Sequence, residues 1–220
     1  MPYPPEYHAE KKQQLVTIAK RLFNRRGFDG VTIDDIMGRA GLTHGGFYSY
    51  FGSKSELYAL AVEDALTHPP ALCRAADPTA ADAAQQVIRA YLSQAHFDEI
   101  DESCPMVSLP TDVARCDPTV KRVFESVFRE MFGVFEQTLA REGRADRDRA
   151  LAMATLCVGA MVIARAVAES GFAAELRGAA ARVALELGGW PKGYGLAAGR
   201  HERQGARPGA GKRWRKSARA

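Results

Sequence analysis

Cysteine is scarce in this 220-residue chain, and the four that occur, Cys73, Cys104, Cys116 and Cys157, lie far apart with no CxxC pair among them. Such spacing suggests neither a zinc site nor a disulfide framework, and it points to a reducing, cytoplasmic setting. Long apolar runs are missing as well. The opening MPYPPEYHAEKKQQ has no apolar core of a secretory signal, and the longest apolar stretch, Ala150 to Ala164, is Ala-rich and shorter than the ~20 residues of a bilayer-spanning helix. The expectation is a soluble, intracellular protein without a membrane partner. Nowhere does strand-like alternation compete with helical spacing. Acids, histidines and cysteines are present but form no catalytic or metal constellation and no phosphate cradle, so an enzyme is disfavoured and no metal or cofactor is expected.

Net charge is small, a formal +4, and its distribution says more than its size. Residues 1–60 carry 8 Lys/Arg against 6 Asp/Glu (+2), residues 61–187 carry 13 against 19 (−6), and residues 188–220 carry 9 against 1 (+8). A phosphate backbone would repel the acidic middle. Any contact with nucleic acid would therefore belong to the two ends.

What the sequence does have is helical periodicity. Leu15, Ile18, Ala19, Leu22 and Phe23 recur at three- and four-residue spacing between Lys11 and Arg26, the mark of an amphipathic helix stopped by Gly27. Thr32 and Asp35 read as a capping pair for a second helix carrying Ile33, Ile36, Met37 and Ala40, which ends at Gly41. Thr43 is placed to cap a third helix, HGGFYSYF, running to Phe51 before Gly52 breaks it. Ser53 then caps a fourth, reaching about Leu66 with Leu57, Leu60 and Ala61 inward. Further helices are expected at about 80–97, 106–115, 118–142, 146–168 and 173–187, separated by DP, CP, EGRAD and SGF breakers. After Leu187 the chain turns Gly- and Arg-rich without apolar periodicity and is expected to be disordered in isolation.

Two short helices joined by a tight glycine turn, after a supporting helix, make the pattern of a helix-turn-helix, whose second member enters the major groove. The run VTIDDIMGRAGLTHGGFYSYFGSKSELYALAV, residues 31–62, closely resembles the DNA-binding head of the tetracycline-repressor (TetR) family. The likeness lies in the threonine opening the second helix, AGLT at the turn, FYSYF in the recognition helix and SKSEL opening the fourth; the helix at 11–26 fits as well. The rest agrees only in length and helical character. The resemblance implies an all-α fold: a three-helix head, 1–52, joined by the fourth helix to a helical ligand-binding and dimerisation domain, 53–187, with a basic tail, 188–220.

Within the head, Phe47 and Phe51 fall on one face of the third helix and should bury against the first. Gly45 and Ser49, flanked by Gly46 and Tyr48, then face DNA. Two adjacent helical glycines each cost roughly 1 kcal/mol against alanine, and either close backbone approach to base edges or a poorly formed first turn explains them. Gly46 also leaves room for a thymine methyl. His44 is either a donor to a base edge or phosphate or a solvated surface residue. Tyr48, Tyr50 and Thr43 have hydroxyls suited to phosphate, as at corresponding family positions, and Thr32 is grouped with these contacts. The resemblance makes Lys54, at the start of the fourth helix, a phosphate contact.

The resemblance further implies a homodimer through helices 146–168 and 173–187, an inverted-repeat operator in double-stranded DNA, and a small-molecule effector that shifts head separation. Tyr91, His96, Cys104, Met106, Phe124, Phe128 and Phe135 are candidate pocket residues, most of which read more simply as ordinary core. Cys104, ahead of a helix start, is either a thiolate sensor, as in some family members, or a small buried cysteine; Asp101 and Glu102 oppose thiolate formation. The tail is either an electrostatic arm on DNA or an appendage without consequence. The expected function is ligand-responsive transcriptional regulation, most simply repression, with a sequence-indifferent architectural DNA-binding protein as the alternative.

Overall fold

In the computed structural model, which describes residues 5–68, 77 and 79–191, the first apolar repeat lies on a helix, α1 (Pro5–Arg26), that buries Leu15, Val16, Ala19, Leu22 and Phe23. It starts ahead of the repeat, because its polar first turns lean on the third helix: His8 stacks on Tyr50 at 4.5 Å between ring centroids. Gly27 closes α1 with φ of +70°, a left-handed conformation in which an L side chain is strained. Helix α2 (Ile33–Arg39) carries a full capping box: Thr32 Oγ1 accepts from the Asp35 amide at 3.1 Å, and Asp35 Oδ2 accepts from the Thr32 amide at 2.9 Å.

The third helix, α3 (His44–Ser49), departs from expectation. It is wound as a 3₁₀ helix, it stops at Ser49 rather than Phe51, and Thr43 makes no side-chain cap bond. Gly45 and Gly46, poor formers of an α-ladder, leave a short segment for which the tighter winding suffices. Helix α4 (Lys54–Thr67) follows its cap as expected, with Ser53 Oγ accepting from the Glu56 amide at 3.0 Å.

Two of the expected body helices are each divided. The segment 80–97 becomes α5 (Ala83–Tyr91) and α6 (Gln94–Asp98), because Ser93 leaves the ladder to cap α6, its hydroxyl oxygen accepting from the His96 amide at 3.1 Å. The segment 106–115 becomes α7 (Pro105–Ser108) and α8 (Pro110–Arg115), since Pro110 has no amide hydrogen to continue the ladder. Helices α9 (Pro118–Arg141) and α10 (Arg147–Ala166) match their expected spans. The SGF triplet proves no breaker: it forms the first turn of α11 (Ser170–Leu187).

Helices α10 and α11 pack along each other, and α9 covers both α10 and α4. Helix α10 as a whole has the length and apolar content to cross a bilayer, beyond what the apolar run alone suggests. In this fold it buries Ala150, Met153, Ala154, Cys157, Met161 and Ala164 in the body. The body also continues past Leu187. Trp190 is only 6% exposed, and its indole Nε1–H donates to the Glu142 carboxylate at 2.9 Å. The boundary expected after residue 187 therefore moves beyond Trp190, and the basic tail after Pro191 lies outside the described residues.

Helix α1 is fastened to the rest of the chain at several points. Lys20 Nζ meets Asp64 Oδ2 of α4 at 2.9 Å. Arg21 donates to Glu102 at 2.6 Å, Arg25 pairs with Asp101, and Asn24 Nδ2 donates to the carbonyls of Asp101 and Ser103 at 3.0 and 3.1 Å. At the far end Asp112 Oδ2 of α8 accepts from the Phe28 amide at 2.8 Å. From the other side Arg165, near the end of α10, donates to Ser103 Oγ and to the Glu99 carbonyl, both at 2.7 Å, and to the His96 carbonyl. Segment 96–103 is thus gripped by α1 and α10 together.

Candidate nucleic-acid interface

The third helix is too short and glycine-rich to hold itself, so its shape depends on what lies beneath. Phe47 and Phe51 are buried as expected, their ring centroids 5.4 Å apart. They rest on more than α1: α3 packs chiefly on α2, with the Lys12 ammonium 5.3 Å over the Phe51 ring on the α1 side. The His8 ring bonds the Ser49 carbonyl at 3.1 Å, which ties the end of α3 to the first turns of α1.

Above this support lies an exposed face. Thr32, Thr43, His44 and Gly45 are exposed, Gly46 is half-buried, and Tyr48 is 60% exposed, a large aromatic surface for a residue with no apolar neighbour required of it. A Cβ added at Gly45 would meet nothing within 4 Å, and one at Gly46 only ordinary contacts with Met37 and Thr43. The fold itself therefore does not demand glycine at either position. Three expected members are already engaged within the head, Thr32 among them through its cap on α2. Ser49 Oγ donates to the Gly46 carbonyl at 2.7 Å, and Tyr50 is half-buried under its stack on His8.

Lys54 stands at the first position of α4, but its ammonium lies 4.2 Å over the Phe28 ring. Burial against that ring draws the lysine below its usual range, with Asp29 opposing weakly. Glu56 occupies the same helix start, its Oε2 accepting from the Gly52 amide at 2.7 Å. The start of α4 thus carries a cation from Lys54 and an opposing charge from Glu56. Sequence reasoning missed Asp34, whose Oδ1 sits 2.8 Å from Nδ1 of His44. It also missed His8 in α1, and no local motif marks either residue.

Among the pocket candidates, Tyr91, His96, Cys104, Met106 and Phe135 are buried, whereas Phe124 and Phe128 are half-buried against the same core. The structure brings Tyr91 and His96 together, ring centroids 4.7 Å apart and edge-on, with His96 Nδ1 donating to the Tyr91 carbonyl at 2.7 Å. His96 is 1% exposed, and no hydrogen-bond partner meets its Nε2 among the described residues. Burial, reinforced by the charge of Arg165, pushes its pKa down to about 4, so the ring is neutral at physiological pH. Arg165 and Arg177 were not foreseen. Arg177 donates to the Leu92 carbonyl at 3.1 Å and lies 4.5 Å over the Phe97 ring, closing the gap between α5 and α6. On the outside of α10 and α11, Ile163, Phe172 and Val183 are exposed.

Residues 15–61 match the family model described as bacterial regulatory proteins, tetR family. An uncharacterised HTH-type transcriptional regulator of Bacillus subtilis, YfiR, is 35% identical over 60 residues, which cover 27% of this chain and 29% of that protein. The chain thus aligns with less than a third of the length of such curated relatives. Likeness of fold extends much further. A tetR-family regulator from Agrobacterium tumefaciens covers 81% of this chain and 97% of its own with a TM-score of 0.65 at 25% identity. The crystal structure of Escherichia coli NemR in its reduced form covers 80% and 96% with a TM-score of 0.65 at 19% identity.

Proposed function

We infer function from membership: the chain belongs to the tetR family of bacterial regulatory proteins and is a DNA-binding transcriptional regulator. We propose that it acts in the cytoplasm as a homodimer on an inverted-repeat operator, represses by occluding polymerase, and is released by a small molecule. The observation that carries DNA reading is the exposed face of His44, Gly45, Gly46 and Tyr48, presented by a buried Phe47 and Phe51. The glycines have no internal reason to be glycines, and close approach of an outside surface supplies one.

Selection of bound fragments from random or genomic DNA by the purified chain tests the proposal. Enrichment of a palindrome is expected; uniform coverage, or no binding, overturns it. A sharper consequence concerns Gly45. Alanine there fits the protein and should raise or preserve the melting temperature, since a helical Gly→Ala change gains up to about 1 kcal/mol. Operator affinity should nevertheless fall about tenfold or more, measured by fluorescence anisotropy. Unchanged affinity would remove the role assigned to the backbone.

Two heads must be held one groove apart, and the exposed Ile163, Phe172 and Val183 on α10 and α11 suit a second copy of the same helices. Phe172→Asp combined with Ile163→Asp should convert the dimer to a monomer by light scattering and cost most of the operator affinity. A variant that remains dimeric would place the interface elsewhere. Effector release is supported by His96, a neutral buried ring whose Nε2 meets no hydrogen-bond partner among the described residues. A ligand bonded there would pull on segment 96–103, which α1 and Arg165 both hold.

A further inference from the structure

The geometry points to Asp34 as a positioning residue that sets the base preference of His44, an inference that rests on the DNA-reading role proposed above. A carboxylate is a costly neighbour for a surface that approaches phosphates, and Asp34 is 75% exposed on that side of the head. Capping does not require it, because Asp35 completes the capping box of α2. What Asp34 does hold is a ring. Its Oδ1 lies 2.8 Å from Nδ1 of His44, itself half exposed, with the Tyr48 ring 6.2 Å away on the same face.

An ionised aspartate has no hydrogen to give, so the hydrogen in this bond belongs to Nδ1. That fixes the tautomer and the rotation of the ring together. Nε2, on the opposite side of the imidazole, becomes the atom offered outward, and in the neutral ring it is an acceptor. Among major-groove edges only the adenine N6 and cytosine N4 amines donate; guanine N7 and O6 and thymine O4 all accept. His44 held by Asp34 therefore selects adenine or cytosine at one half-site position. Without the carboxylate the ring turns and exchanges tautomers, and it serves an acceptor as readily as a donor.

Two consequences have opposite signs. Removing Asp34 removes discrimination at that position, and it also removes a negative charge from the DNA-facing side, which strengthens binding to DNA of any sequence. A merely structural role would weaken both. The test is selection from randomised half-sites by the full chain at about pH 8, comparing the wild type with D34A, D34N, H44A and D34A/H44A. The wild type should favour adenine or cytosine about five- to tenfold at one position. D34A and H44A should both lose that preference, D34N should lose part of it without change of side-chain size, and the double variant should be no less selective than H44A alone. D34A should bind a random duplex severalfold more tightly at low salt, with an unchanged melting temperature. Full preference retained in D34A, a wild-type preference for guanine or thymine at the His44 position, or weaker nonspecific binding by D34A overturns the assignment. Absence of any palindrome with the wild type overturns the DNA-reading proposal itself, and this inference with it.

Discussion

Replacing Phe47 by alanine is expected to abolish operator binding while leaving most of the helical content in place. The ring is fully buried, lies 5.4 Å from Phe51, and meets Tyr48 edge-on at 5.3 Å between centroids. Helix α3 has six residues, two of them glycine, and 3₁₀ winding, so its own hydrogen bonds do little to hold it. Side-chain anchorage does that, and a buried Phe→Ala change costs about 3–5 kcal/mol. Against a typical domain stability of about 5–15 kcal/mol, the loss is large and falls where the structure has least else to rely on. Even the lower figure, felt as melting of the reading element, corresponds to more than about a hundredfold in affinity. Circular dichroism should show a lowered melting temperature with the body helices retained, and anisotropy should show no operator binding at micromolar protein. Phe47→Leu, which keeps most of the apolar volume, should retain measurable binding. If F47A bound operator within threefold of the wild type, α3 would not be the reading element.

The contrast between α2 and α3 shows which parts of the head were legible. The Thr32–Asp35 and Ser53–Glu56 caps work through atoms three residues apart, and Phe47 with Phe51 through positions one turn apart. Local spacing carries such information. The winding of α3 was not legible in the same way, since Thr43 looked like a cap and its hydroxyl makes no such bond. In the body, Ser93 and Pro110 divided two helices that periodicity alone had joined. The charged residues that organise the molecule were invisible for a different reason. Arg165 reaches Ser103 across 62 residues of sequence, Asn24 reaches Ser103 across 79, and His8 reaches Ser49 across 41. A lone arginine or asparagine on a helical pattern reads as a solvated face, and only the tertiary contact distinguishes it. Trp190 was hidden by its glycine-rich company, although one indole bond to Glu142 places it in the body. At Lys54 the position was legible but the neighbour was not: Phe28 arrives from the α1–α2 turn and takes the ammonium from below.

Lys20→Met should be the most destabilising change of a charged residue in the head, and should reverse the sign of the Asp64 contribution to the acid response, read as the difference from the wild type. Lys20 and Asp64 are 5% and 7% exposed and meet at 2.9 Å, joining α1 to the helix that leads into the body. Asp64 also accepts from Gln13 at 2.9 Å and pairs with His68 at 2.9 Å, while Glu102 lies 3.6 Å from the lysine. Burial by itself would raise the pKa of Asp64; the hydrogen bond and charge of Lys20, helped by His68 and Gln13, outweigh it and hold the carboxyl below its usual range. A depressed folded-state pKa contributes stability that is present above the unfolded value, near ~3.9, and is lost as pH falls through the folded value. The Asp64 contribution should therefore be lost only in strong acid, while His96, held neutral by burial down to about pH 4, costs stability below the ordinary histidine range in wild type and variant alike. With methionine at position 20 the burial effect wins, the Asp64 pKa rises above its unfolded value, and stability is lost as pH climbs instead. Leaving one member of a buried pair costs about 3–5 kcal/mol, read by denaturant titration near neutrality. The deficit should shrink as pH is lowered toward about 4, where the stranded carboxyl can protonate. Lys20→Met with Asp64→Leu, which removes both charges, should recover much of the loss. A single variant within about 1 kcal/mol of the wild type at neutral pH, or one whose deficit relative to the wild type does not shrink as pH is lowered, would mean that packing alone fixes α1 to α4. In that case segment 96–103 and Asp112, not the Lys20–Asp64 pair, set the angle of the head.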